Sequence, residues 1–241
     1  MSNKVALVTG SNKGIGKEIV RELATRGYTV YLGARDEQRG WAAVQEIARE
    51  GGDVRFVKLD LADSETIAAA AEKVKQEAGK LDVLVNNAGV ALEQEPPSKA
   101  NVALVKETFQ TNYFGMVEVT QAFLPLLRAS TTRVILNVTS GLGSITKHAD
   151  PAWEFSNFLL LGYNSSKAAV NMFTVLLAKE LREEGFKVNA VSPGYTATDL
   201  NQFRGHETAG EAAAYLVQYA LLDERGPTSG FFAKGEGTLP W

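Results

Sequence analysis

Cysteine is absent from the 241 residues, which excludes disulfides, thiolate metal sites and cysteine nucleophiles. Histidine is almost as scarce. His148 and His206 lie far apart in sequence, neither has an acidic cluster at ligand spacing, and no metal is expected. No apolar run is long enough to span a bilayer, and the stretch Phe158–Leu161 falls far short. Charge of one sign is also lacking: the net value of -3 gives no electrostatic reason to bind nucleic acid or an anionic membrane. The start Met1-Ser2-Asn3-Lys4 has none of the regions of a secretory leader, so a cytoplasmic location is expected. Linkers, repeats and low-complexity segments are missing too, and the chain reads as one domain over 1–241.

What is present is a rhythm. Short β-branched apolar runs (Val5–Val8, Thr29–Leu32, Val54–Leu59, Val83–Val85, Val134–Val138, Val188–Val191 and the weaker Phe231–Ala233) alternate with helical periods. The helical periods are Ile15–Arg26, Arg39–Glu50, Ser64–Glu77, Val102–Leu127, Ser165–Glu184 and Gly210–Leu221. Strands without a polar face belong in a covered parallel sheet. The alternation therefore predicts an α/β fold of the Rossmann type: a doubly wound parallel sheet of about seven strands with helices on both faces. Gly141–Gly162 and Ala197–Ala209 break the rhythm, and long connections of this kind often carry function.

The first strand runs into Thr9-Gly10-Ser11-Asn12-Lys13-Gly14-Ile15-Gly16 and then a helix. Glycines let the backbone turn tightly against a pyrophosphate, and the helix N-terminus offers free N–H groups and a positive dipole end. Gly10, Asn12, Lys13, Gly14, Ile15 and Gly16 are thus candidate cofactor contacts, although the same turn could be purely structural. After the second strand comes Arg35. With Lys13 it would grip a 2′-phosphate, which favours NADPH over NADH. Asp36 is the competing feature and reads equally as a helix cap. In Leu59-Asp60-Leu61 after the third strand, Asp60 either bonds an adenine amino group or caps a helix. After the fourth strand, Asn87-Ala88-Gly89 are small enough for a cofactor to cross the sheet edge.

Tyr163 and Lys167 are four residues apart and share a helix face. A free phenol titrates near about 10, and a neighbouring ammonium is expected to lower that value and make it a proton donor at neutral pH. Taken alone, such a pair is more often an ordinary surface pair.

Together these motifs resemble the short-chain dehydrogenase/reductase family over essentially the whole chain. The resemblance rests on Thr9–Gly16, Asn86–Gly89, Asn112 in Thr111-Asn112-Tyr113-Phe114-Gly115, Ser140, Tyr163-x-x-x-Lys167 and Pro193-Gly194, in that order. The pattern is most similar to the NADPH-dependent carbonyl reductases of the family. It implies hydride transfer to a ketone or aldehyde, with Tyr163 as general acid and Ser140 orienting the carbonyl oxygen. It further implies that Lys167 holds the nicotinamide ribose and Asn112 anchors a water; read without the resemblance, Asn112 is a helix-interior kink residue and Ser140 a cap or turn hydroxyl. Pro193, Gly194, Thr196 and Thr198 would wrap the nicotinamide, and Thr139, Ser165 and Ser166 are left structural. A homodimer or homotetramer is a further implication. Dehydrogenation of an alcohol, sugar or steroid, or cofactor sensing without catalysis, are the alternatives. Ser140 and Tyr163 are separated by an intermediate insertion over about 141–162. Its Trp153 and Phe158 either wall a substrate pocket or simply pack on the domain.

Overall fold

In this computed structural model, which describes residues 4–93 and 95–241, the apolar runs do form strands. β1 (Val5–Thr9), β2 (Thr29–Ala34), β4 (Val83–Asn86) and β5 (Val134–Val138) are buried at every position, as strands covered on both faces must be. With β3 (Val54–Lys58), β6 (Lys187–Ser192), β7 (Phe231–Ala233) and β8 (Gly237–Thr238) they make one sheet in the order β3-β2-β1-β4-β5-β6-β7-β8. All neighbours are parallel except β7 and β8. The antiparallel β8 makes eight strands where the sequence suggests about seven. It is two exposed residues long, too short to leave a pattern.

Two apolar layers sandwich the sheet. On one face α1 (Gly14–Thr25), α2 (Glu37–Arg49) and α8 (Ala209–Ala220) pack Ile19, Val44 and Leu216 against β1, β2 and β5. On the other, α3 (Ser64–Ala78), α5 (Met116–Arg128) and α7 (Leu161–Glu180) pack Ile67, Phe123 and Val170 against the same strands. The sequence order reverses between β1 and β4, so the connections leaving their carboxyl ends diverge and open a crevice there.

Two helices differ from expectation. The period over Val102–Leu127 is interrupted: α4 (Val102–Phe109) passes through a π-turn at Gln110–Gly115 before α5 begins. Widened turns of this kind recur at functional sites. α7 starts at Leu161, four residues earlier than its sequence pattern, so Tyr163 lies within its first turn. Completing the helices, α6 (Ile145–His148) is a single turn in the insertion. Among the described residues no helix is long and apolar enough to cross a membrane.

Candidate active site

A cleft of about 460 Å³ occupies the crevice at the carboxyl ends of the strands. The β1–α1 turn forms its floor. Gly10 has φ +61°, and a Cβ on it would lie 2.7 Å from Ala88 Cα, so only glycine lets the two connections touch. Asn87 fastens them by donating from Nδ2 to the Thr9 and Gly10 carbonyls at 2.9 and 3.1 Å. No side chain caps α1, so its first-turn N–H groups and positive dipole end have no acidic partner of their own.

Every residue singled out from sequence between Gly10 and Gly89 lines this cleft, from Gly10–Gly16 through Arg35, Asp60 and Leu61 to Asn87–Gly89, with Ser11, Asp36 and Asn86 excepted. Asp36 is a cap: its carboxylate accepts the Arg39 N–H at 3.0 Å at the start of α2. Asp60 is not, because Asp63 caps α3, while Asp60 accepts from Ala62 N at 3.0 Å and borders the cleft. Arg35 is exposed at the rim. Lys13 is paired with Asp199 at 3.0 Å, tying the glycine turn to the segment that follows β6. Pro193, Thr196 and Thr198 from that segment line the cleft, whereas Gly194 faces a different cavity.

That second cavity, about 200 Å³, adjoins the first and is walled by aromatic rings of the insertion. Trp153, Phe155 and Phe158 stand edge to face at 5.6 and 5.7 Å between centroids, and Tyr195 closes on Phe155 at 5.7 Å. The insertion therefore walls a pocket through Trp153 and Phe158. Ser140, leaving β5, also faces this space, and Tyr163 lines both cavities.

The electrostatics of the pair on α7 differ from the sequence argument. Burial pushes the Tyr163 phenol up to about 12, while a hydrogen bond from Ser140 pulls in the opposite direction. Burial also pushes the Lys167 ammonium down to about 8. Desolvation disfavours both charged forms and outweighs the mutual attraction expected from their spacing. Lys167 Nζ donates to the Val138 carbonyl at 2.9 Å and stands 5.6 Å from the centroid of the Tyr163 ring.

Asn112 lies in the π-turn, buried. Its amide accepts from Val90 N at 2.8 Å and donates to Val90 O and Ser166 Oγ at 2.9 and 3.0 Å, so the side chain faces these groups and not the cleft. It still stands close to Lys167: a Cβ on Gly89 would be 3.5 Å from Asn112 Oδ1 and 3.6 Å from Lys167 Nζ. Of the hydroxyls left structural, Thr139 borders the cleft but donates to Asn171 Oδ1 at 2.8 Å, and Ser166 donates to Tyr163 O at 2.8 Å.

Sequence reasoning missed Leu200 and Asn201, which line both cavities, and the buried Glu93, which accepts the backbone N–H of Tyr163. Glu93 lies outside any helix or strand, and Leu200 and Asn201 lie in a single 3-10 turn at Asp199–Asn201, too short for a period to distinguish a functional side chain from a solvated one.

A cleft over a glycine turn, lined by Tyr163 and Lys167, with Ser140 in the adjoining cavity, is the arrangement of an oxidoreductase of the doubly wound class. The short chain dehydrogenase family model matches residues 4–209, and the chain belongs to that family. It is 32% identical to the (+)-neomenthol dehydrogenase of Capsicum annuum, covering 99% of this chain and 98% of the relative. That alignment runs over 309 positions, so the pepper enzyme carries segments this shorter chain lacks. The (-)-isopiperitenone reductase of Mentha piperita is 34% identical, with 96% of each chain covered. Among solved structures, the NADPH-bound carbonyl reductase from chicken fatty liver superposes with a TM-score of 0.88 at 27% identity, and each chain is fully covered.

Proposed function

We propose that this chain is an NADPH-dependent carbonyl reductase acting on an apolar ketone or aldehyde, with Tyr163 as the general acid. The observation that carries the reading is the position of Tyr163 on the boundary between the cleft over the glycine turn and the aromatic cavity. A relative solved with NADPH and relatives named as reductases support it.

The residues present fit the cofactor. Gly10, Gly14 and Gly16 keep side chains out of the turn, and the uncapped start of α1 suits a pyrophosphate. Arg35 and Lys13 would hold the 2′-phosphate, Asp60 and Leu61 the adenine end, and Asn87–Gly89 the span across the sheet. Lys167 would hold the nicotinamide ribose, with Thr196 and Thr198 closing over the far end. The chemistry NADPH supplies when bound is a hydride for the carbonyl carbon.

Everything else falls to the chain. The aromatic cavity excludes water and seats the apolar part of the substrate. Ser140 donates a hydrogen bond that orients the carbonyl oxygen toward Tyr163. Tyr163 gives its phenolic proton to that oxygen as negative charge develops there. Burial favours the protonated phenol, the form in which Tyr163 acts as the acid. Lys167 follows four residues along the same helix, and its lowered affinity for a proton suits it to restore the one Tyr163 has given up. Asn112 keeps the π-turn and Val90 in register behind Lys167.

The test is Tyr163→Phe, assayed by loss of NADPH absorbance with a panel of ketones, aldehydes and quinones. Turnover should vanish while NADPH binding persists; full activity in that variant would end the mechanism.

A further inference from the structure

We infer that Glu93 is a positioning residue for this reaction: its carboxylate caps the helix carrying Tyr163 and so fixes where the acid stands. The inference rests on the reductase reading above and refines it.

α7 has no cap of its own. Leu160 precedes its first turn and offers no polar side chain. Tyr163 is the third residue of the helix, one of the positions whose N–H a capping side chain ordinarily accepts. Here the acceptor is Glu93 Oε1, at 3.0 Å, from a residue 70 positions earlier in the chain. The other carboxylate oxygen, Oε2, accepts the hydroxyl of Thr108 on α4 at 3.0 Å. Glu93 is 2% exposed, and a buried carboxylate persists only where donors replace water. Two donors and the positive end of α7 supply that replacement.

Gly162 completes the arrangement. A Cβ at this position would lie 2.2 Å from Glu93 Oε1, so any larger residue would drive the carboxylate off the Tyr163 amide. The segment holding Glu93 also supplies Val90, Ala91 and Leu92 to the cleft wall. One side chain therefore ties the cleft wall, α4 and the first turn of α7 together, and the acid is carried on that turn. Small displacements of a reacting group cost large factors in rate, so the cap bears on turnover through Tyr163 without touching substrate.

The test uses Glu93→Ala, Gly162→Ala, their double variant and Glu93→Gln. Glu93→Ala and Gly162→Ala should each lower kcat about tenfold, with KM for the ketone and NADPH affinity little changed. The double variant should be no slower than the slower single, because the clash at Gly162 needs the Glu93 carboxylate. Glu93→Gln keeps an acceptor for the Tyr163 amide and should restore most of kcat. A merely structural role predicts that Gly162→Ala lowers stability through the displaced Glu93 carboxylate and leaves kcat unchanged. Unchanged kcat in Gly162→Ala, or losses that multiply in the double variant, would overturn the proposal.

Amide exchange of Tyr163 gives a readout independent of turnover and cofactor. Its N–H should exchange slowly in the wild type and in Glu93→Gln, and at least tenfold faster in Gly162→Ala. Equal exchange in the wild type and Gly162→Ala overturns the cap. If Glu93→Ala does not fold, Gly162→Ala and Glu93→Gln decide by the same outcomes. A wild type that reduces nothing in the panel defeats the reductase reading, and the exchange measurement then decides on the cap alone.

Discussion

Lys167 Nζ stands 5.6 Å from the centre of the Tyr163 ring, one helical turn along α7, with its ammonium held on the Val138 carbonyl. The pair is buried, and burial moves the two groups in opposite directions, the phenol up and the amine down.

A pH dependence of stability follows from the lysine. Its folded value, about 8, lies below the 10.5 of a free lysine, so between those values the unfolded chain binds more protons. Stability contributed through Lys167 therefore rises with pH across that window and is flat below it. Urea melts of the wild type and Lys167→Met at pH 7 and pH 10 should differ by on the order of 3 kcal/mol in their stability gap, in favour of the wild type at high pH. Tyr163, raised from 10 to about 12, titrates in the opposite sense but mostly above this window. An unchanged gap would mean that Lys167 is not desolvated.

Cofactor preference should hang on Arg35 more than on Lys13. Lys13 is already paired with Asp199, whereas Arg35 sits at the cleft rim with a guanidinium fork suited to a phosphate. Arg35→Ala is expected to weaken NADPH binding by roughly 10- to 100-fold, the range of a charge-assisted pair, while NADH binding barely moves. Fluorescence titration with both cofactors measures this directly. Lys13→Ala should show the smaller effect.

Trp153 forms part of the aromatic wall, with its ring facing Phe155. Trp153→Ala should raise KM for a bulky aryl ketone several-fold and leave NADPH affinity as it was. A small aliphatic ketone, too short to reach that wall, should serve as the insensitive control. Equal KM changes for both substrates would speak against a substrate role for the cavity.

Gly10→Ala tests the floor of the cleft. The added methyl would meet Ala88 at 2.7 Å, on a residue whose φ of +61° already disfavours a side chain. A stability loss of about 1–3 kcal/mol is expected, together with loss of NADPH binding, read by thermal melts with and without cofactor.

Most of the fold is legible in the sequence because strands covered on both faces leave unbroken apolar runs, as at Val134–Val138, with helical periods between them. What escaped was set by partners distant in sequence. The helix pattern places the start of α7 at Ser165, whereas Glu93 supplies the missing cap and lets the helix begin at Leu161. Over Val102–Leu127 the sequence pattern reads as a single helix with Asn112 as a candidate kink residue, and it does not specify the π-turn found there. In the candidate site, Gly10–Gly16 drew notice by its place between a first strand and a helix, whereas the Tyr163–Lys167 spacing alone reads as an ordinary surface pair and gained weight only from the family resemblance. The direction of the Tyr163 shift was not legible, since helix spacing reports proximity to Lys167 and says nothing about burial.

The aromatic wall lies outside both main apolar layers: Trp153, Phe155, Phe158 and Tyr195 belong to connections, not to the packed sheet and its helices. Ser140 and Tyr163, by contrast, are anchored at the end of β5 and in the first turn of α7. A scaffold divided this way can drift in what it accepts while its chemistry stays put. Substitutions in the wall leave the cores intact, so new substrates become reachable by single steps that a lineage could survive.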